Sequence, residues 1–425
     1  MLNRTLAPDF QKIKEISLVQ PQAYTYNNGL KAFVFQSVDL DLLKFEFTFS
    51  NALLEEHLAT LNPMLSSMMR EGTKQLTSKE IADTIDFYGA YLMPEYSFDY
   101  TSITVYTMHK YVNKILPLLA DIFQNSVIPQ SELDTHIRNN KQNLQISLQK
   151  NDVLARRYFY QEVFKGSRYG VVPTESSFDR IQREELLALY KKQIQPANCT
   201  LFVAGRVDAS ILTSIATLFG QEWSTGTISE EIKVPKFVPH STDLLFEERE
   251  DSLQSAIRLG GHMVNRKHAD FPDIQFVNTL LGGFFGSRLM KNIREEKGYT
   301  YSIGSFIGNL RYSGFQTVAT EVGVDVTKQA LAEINLEFDK LRQDKTSEEE
   351  IILVKNYMQG ALLGSLESIF SHVDKFKSVY FSDLTTDYYH YYSEVIQHMD
   401  ASKIQDIAIT YFDYDKLYKV VVGKM

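Results

Sequence analysis

One cysteine and one tryptophan occur among the 425 residues. With Cys199 alone, neither an intrachain disulfide framework nor a cysteine zinc cage can form. Glycine (21) and proline (11) fall below their usual share, which argues against disorder and long linkers. Acidic residues outnumber basic ones, 53 against 44, for a net charge of −9. Such a chain lacks the positive field that drives nucleic-acid binding through counterion release. No run of about 18 apolar residues occurs, so no membrane-spanning helix is expected. The opening MLNRTLAPDF carries Asp9 and no continuous apolar stretch, and does not read as a signal peptide. The expected setting is the cytoplasm. A periplasmic protein whose leader had been removed would read the same way.

Aromatic residues are plentiful, with 27 phenylalanines and 24 tyrosines to fill a large core. At about 150 residues per domain, the length predicts two or three domains. Phenylalanine alternates through Leu43 to Phe49, the mark of a strand with one face buried. Leu58, Leu61, Leu65, Met68 and Met69 recur at helical spacing up to Gly72. Thr77 and Glu80 form a capping box that opens a helix ending at Gly89. Ile103, Val105 and Tyr106 suit a strand. Val112 to Phe123 reads as a helix that Pro117 can kink. Ser131 to about Arg156 reads as one long helix, Leu186 to Tyr190 as another, and Thr200 to Ala204 as a short buried strand.

Residues 221–243 hold Gly226, Pro235 and Pro239 without sustained periodicity, and read as an interdomain linker. They divide an N-terminal domain, 1–220, from a C-terminal domain, 244–425. The two share a pattern. Leu186 … Leu201-Phe202-Val203-Ala204-Gly205 is matched 218 residues later by Ile404 … Val420-Val421-Val422-Gly423, and Val105 and Thr107 match Val318 and Thr320 at an offset of 213. Offsets near half the chain length indicate a duplicated unit. Long helices and alternating strands predict an α+β unit with helices on one sheet face.

Few constellations carry chemistry. The glycines of Leu281-Gly282-Gly283-Phe284-Phe285-Gly286 lack the Lys-Ser/Thr and the strand–helix context of a phosphate cradle, so close packing of the segment between two helices is their expected role. Arg294 to Lys297 reads as a solvated helix face capped by Gly298, with Tyr299 and Tyr301 on one face of the next strand. The alternative is a clamp in which guanidinium and phenol donors meet a developing carbonyl charge. Glu55-Glu56-His57 ends like H-x-x-E-H, but the first histidine position is Leu53, which binds no metal. His262 and His268 fit no common zinc spacing. The tyrosines around His390 read as packing. Cys199 sits in a buried strand as an inert thiol.

Taken together, several motifs resemble those of the insulinase/pitrilysin/processing-peptidase (inverzincin) family. They are Leu281-Gly282-Gly283 … Ser287-Arg288-Leu289 … Arg294 … Gly298-Tyr299-Thr300-Tyr301, Arg70-Glu71-Gly72-Thr73, Ser167-Arg168-Tyr169-Gly170, and Tyr190 … Pro196-Ala197-Asn198 … Val203-Ala204-Gly205. The resemblance covers nearly the whole chain and implies two homologous α/β domains. Each would be a mostly antiparallel sheet with helices on one face, the two arranged around a peptide chamber.

The departures are specific. In the family a zinc helix reads His-x-x-Glu-His before a Gly-Thr pair. Counting back from Gly72, the resemblance places those roles at Pro63, Ser66 and Ser67, and a further glutamate ligand at about Asn143 or Leu144. None of the four can serve as zinc ligand or carboxylate base. Arg294 and Tyr301 do match the family's substrate-contacting pair. The resemblance therefore implies a zinc-less subunit with no catalytic or metal residue of its own. It would present Arg294 and Tyr301 to unfolded peptide beside an H-x-x-E-H-bearing partner, the only holder of zinc. The other reading is a peptide-binding or scaffold homodimer. Nucleic acid and membrane are not expected partners.

Overall fold

A computed structural model describes residues 16–51, 58–224, 237 and 243–425. Eleven strands are described: β1 (Gln22–Thr25), β2 (Lys31–Gln36), β3 (Leu42–Ser50), β4 (Tyr91–Tyr96), β5 (Tyr100–Met108), β6 (Cys199–Gly205), β7 (Leu244–Glu248), β8 (Gln254–Met263), β9 (Thr300–Asn309), β10 (Gly314–Gly323) and β11 (Tyr418–Gly423). They form two sheets, ordered β1-β2-β6-β3-β5-β4 and β7-β11-β8-β10-β9. In each, one pair is parallel, β2 with β6 and β7 with β11, and every other pair is antiparallel. The second order repeats the first without its opening strand, so the duplication seen in the sequence is one of topology.

The offset of 218 is kept by whole elements. The helices Arg183–Gln193 and Ala401–Tyr411 keep it, and so do Asn151–Val163 and Ile369–Tyr380 in their first residues. The paired glycines have a steric cause. Gly205 (φ +127°) and Gly423 (φ +143°) close the central strands β6 and β11. A Cβ on Gly205 would lie 2.6 Å from the carbonyl oxygen of Leu42, and one on Gly423 would lie 2.7 Å from Cα of Ser255. Only glycine fits both the backbone and the gap.

Phenylalanine alternation in β3 does bury one face: Leu43, Phe45, Phe47 and Phe49 are fully buried in the first half's core, among Phe123, Phe219 and Trp223. The opposite face, Lys44, Glu46 and Thr48, is buried as well. Its cover comes from the other half. The Ile369–Tyr380 helix packs on β2 and β6, setting Phe376 against Phe33 and Phe35. In return, the Asn151–Val163 helix packs on β8 and β11, with Leu154, Ala155, Phe159 and Val163 against Ala256, Val420 and Val422. Each half thus keeps its own helices on one face of its sheet and receives one helix from the other half on the second face.

That exchange corrects the single helix expected from Ser131 to Arg156. Two helices form there, Gln130–Ser147 and Asn151–Val163. The chain turns between them because the second helix must cross to the opposite sheet. The linker also needs a correction at its start. Trp223 is buried and stacks on Phe123 at 5.7 Å, so this residue of the expected linker belongs to the first half's core. Residues 225–236 and 238–242 lie outside the described residues, as do Glu55, Glu56 and His57.

Candidate functional site

Arg294 lies in a π-helical turn, Met290–Glu296. The helix stops because Gly298 reverses the chain at φ +67°, and the Tyr299 N–H donates to the Ile293 carbonyl across 3.0 Å. β9 then runs back past the helix. Seven residues apart in sequence, Arg294 and Tyr301 meet with the guanidinium carbon 5.4 Å from the ring centroid. Phe285 lies on the same guanidinium at 4.6 Å. Tyr301 is 86% exposed and Phe285 61%. A cation on two exposed rings, beside a free phenol, can donate to a carbonyl presented from solvent.

Tyr299 does not share a face with Tyr301, contrary to the expectation. β9 begins at Thr300, and Tyr299 packs against the second half's core. Phe285 was hidden in the sequence, since only the fold brings it to Arg294. The glycine cluster packs as expected, but against a strand: a Cβ on Gly282 would lie 2.7 Å from the Cβ of Ser305 in β9. Arg288 holds the segment in place through Glu350, at 2.9 and 3.1 Å to its two carboxylate oxygens.

Pro63, Ser66 and Ser67 lie on the helix Leu58–Met68, and Asn143 on the helix Gln130–Ser147, which touches it. The two helices on which the resemblance places the metal roles are therefore neighbours, and the two serine hydroxyls are engaged locally. The Ser66 hydroxyl donates to the Glu95 carbonyl of β4 and the Ser67 hydroxyl to the Pro63 carbonyl, both at 3.3 Å. Asn143 is exposed. Among the described residues, no group of three or more His, Cys, Asp or Glu is placed to hold a metal ion.

Glu71, of the Arg70-Glu71-Gly72-Thr73 motif, pairs with His136 at 3.3 Å and accepts the Ser78 hydroxyl at 2.5 Å. Burial pushes its carboxyl up, and His136 and Ser78 outweigh that to leave it below the usual range. Arg168 and Tyr169 are both buried against Asp99, at 2.6 and 2.7 Å. The Cys199 thiol is buried, and burial raises its pKa, as an inert thiol requires. The tyrosine cluster packs, with Tyr388 stacked on Tyr392 and Tyr389 buried. His262 lies against Phe164 and Phe237, and His268 beside Asp270.

Two sequence profiles match. Residues 62–170 fit the family described as Insulinase (Peptidase family M16), and residues 180–358 the one described as Peptidase M16 inactive domain. The "Uncharacterized zinc protease YmxG" of Bacillus subtilis (strain 168) is 24% identical over 317 residues, covering 74% of this chain and 76% of that protein. The "Probable inactive metalloprotease YmfF" of the same organism is 26% identical over 258 residues, covering 60% and 58%. A crystal structure of a peptidase M16 inactive domain from Pseudomonas fluorescens superposes with a TM-score of 0.84 at 18% identity, covering 95% of this chain and 98% of that one. With both halves matched and the fold shared, the chain belongs to the insulinase (M16) peptidase family as an inactive homologue.

Proposed function

We propose that this chain is the non-catalytic subunit of a heterodimeric zinc metallopeptidase that degrades or processes peptides. Its partner is a paralogous subunit carrying an intact H-x-x-E-H and the zinc. This chain supplies Arg294 and Tyr301 to the peptide beside that zinc. The observation that carries the reading is an asymmetry. The clamp residues meet at 5.4 Å on an exposed surface, while the zinc-helix hydroxyls serve backbone carbonyls. Zinc-assisted hydrolysis needs a Lewis acid, a water, a base and oxyanion donors. In this reading the present chain supplies the donors and its partner the rest.

Arg294→Ala, tested in the mixed complex, should lower peptide turnover by roughly 10²–10³ if the guanidinium is an oxyanion donor. Unchanged turnover would overturn that role. The prior experiment is purification of the chain from its native host. A near-stoichiometric H-x-x-E-H protein supports the heterodimer. Recovery of the chain only with itself points instead to a peptide-binding or scaffold homodimer.

A further inference from the structure

The two halves meet around a cavity of about 640 Å³. Its walls come from the β4–β5 and β9–β10 turns, the loop after β8 and the end of the Ile369–Tyr380 helix. Four charged side chains line it: Asp99, Arg266, Arg311 and Lys377. Two of these are neutralised. Asp99 pairs with Arg168 at 2.6 Å, and Lys377 with Glu46 at 2.5 Å. Arg266 and Arg311 have no carboxylate partner among the described residues.

Both arginines are half-buried and fixed in place. Asn265 Nδ2 donates to the Arg311 carbonyl at 3.1 Å, and the Arg266 N–H donates to Asn309 Oδ1 at 2.7 Å, so the two loops are tied together. Arg266 spends one guanidinium nitrogen on the Ser378 carbonyl at 2.9 Å. Arg311 leans on the Tyr312 ring at 5.5 Å. The excess positive charge is felt next door, where burial and then Arg266 lower the pKa of Lys375. Half-buried cations without a counterion have given up hydration for nothing, and a carboxylate entering between them restores the balance. The remaining walls, including Tyr100, Phe271 and Phe381, suit an apolar or aromatic body, and the volume falls in the range of small-ligand sites.

We propose that this cavity binds the free C-terminal carboxylate of a short peptide, held between Arg266 and Arg311, with an apolar last side chain against the aromatic wall. The ligand's being a peptide rests on the function proposed above; the site itself needs no zinc partner.

Calorimetry on the isolated full chain tests it, with one hexapeptide ending in phenylalanine, prepared as the free acid and as the C-terminal amide. The free acid should bind roughly tenfold or more tightly than the amide, the difference one charge-assisted contact makes. Arg311→Gln should remove that preference. It keeps the backbone N–H that Asp99 accepts, so folding is not at stake through that bond. Arg294→Ala should leave the preference for free acid over amide intact, whatever it does to overall affinity. Equal binding of acid and amide by the wild-type chain overturns the proposal without any variant, and so does a preference that survives Arg311→Gln. Loss of the acid-over-amide preference in Arg294→Ala instead would put the peptide end at the clamp. The cavity proposal then falls while the peptide reading stands. A wild-type chain that binds neither peptide also overturns the cavity site, and leaves Arg294 to the turnover assay.

Discussion

The Asp99 carboxylate accepts the backbone N–H of Arg311 across 2.9 Å, joining the β4–β5 turn of one half to the β9–β10 turn of the other. These turns are equivalent in the duplication. Asp99 also holds Arg168 and Tyr169, so one carboxylate organises the joint.

Asp99→Asn should therefore destabilise the whole molecule. It removes one partner of an ion pair whose side chains are 5% and 6% exposed, and strands the Arg168 charge. Breaking a buried pair this way costs about 3–5 kcal/mol. Urea unfolding measures it, and a loss under about 1 kcal/mol would mean that the pair is wet and weak.

Glu46 predicts an acid limb of stability. Burial pushes its carboxyl up, Lys377 and Lys44 pull it down, and the net is below the ordinary value. A folded-state pKa below the unfolded one gives stability that is present above the ordinary carboxylate range and lost as pH falls through the folded value. Glu46→Gln should lower the melting temperature at pH 7, and the gap from wild type should close below about pH 4. A gap that stays constant with pH would show that the pair is not ionised.

Tyr301→Phe keeps the ring on which Arg294 rests and removes only the hydroxyl. With Tyr301 86% exposed, stability should not change. In the mixed complex kcat should fall by about 10–10², with little change in KM, if the phenol acts in the transition state. A raised KM with kcat intact would assign the phenol to ground-state binding.

The exchanged helices predict that the halves do not live apart. Separately expressed segments 16–224 and 243–425 each expose a sheet face that the other's helix covers. Each alone should aggregate, and co-expressed they should co-purify. Phe159→Ala should cost the joined chain about 3–5 kcal/mol, because Phe159 is buried at that contact. Monodisperse, cooperatively folding single halves would contradict this.

Local chemistry was legible without coordinates wherever it is set by neighbours in the chain. The capping box closes as its residues require, with the Thr77 N–H on Glu80 at 2.9 Å and the Glu80 N–H on Thr77 at 3.3 Å. The phenylalanine alternation of β3 and the 218-residue repeat likewise needed only the sequence, because periodicity carries them. Tertiary structure decided the rest. Lys44 and Glu46 look like a solvent face in sequence, yet they are buried, because a helix more than 300 residues away covers them. The break between Gln130–Ser147 and Asn151–Val163 follows from a destination on the opposite sheet, and no local signal encodes it. Phe285 beneath Arg294, Asp99 at the joint and the presence of Arg266 and Arg311 on one cavity wall all depend on contacts between segments that only the folded chain brings together. Residue type fixes what a side chain can do, and packing fixes which other side chain it does it with.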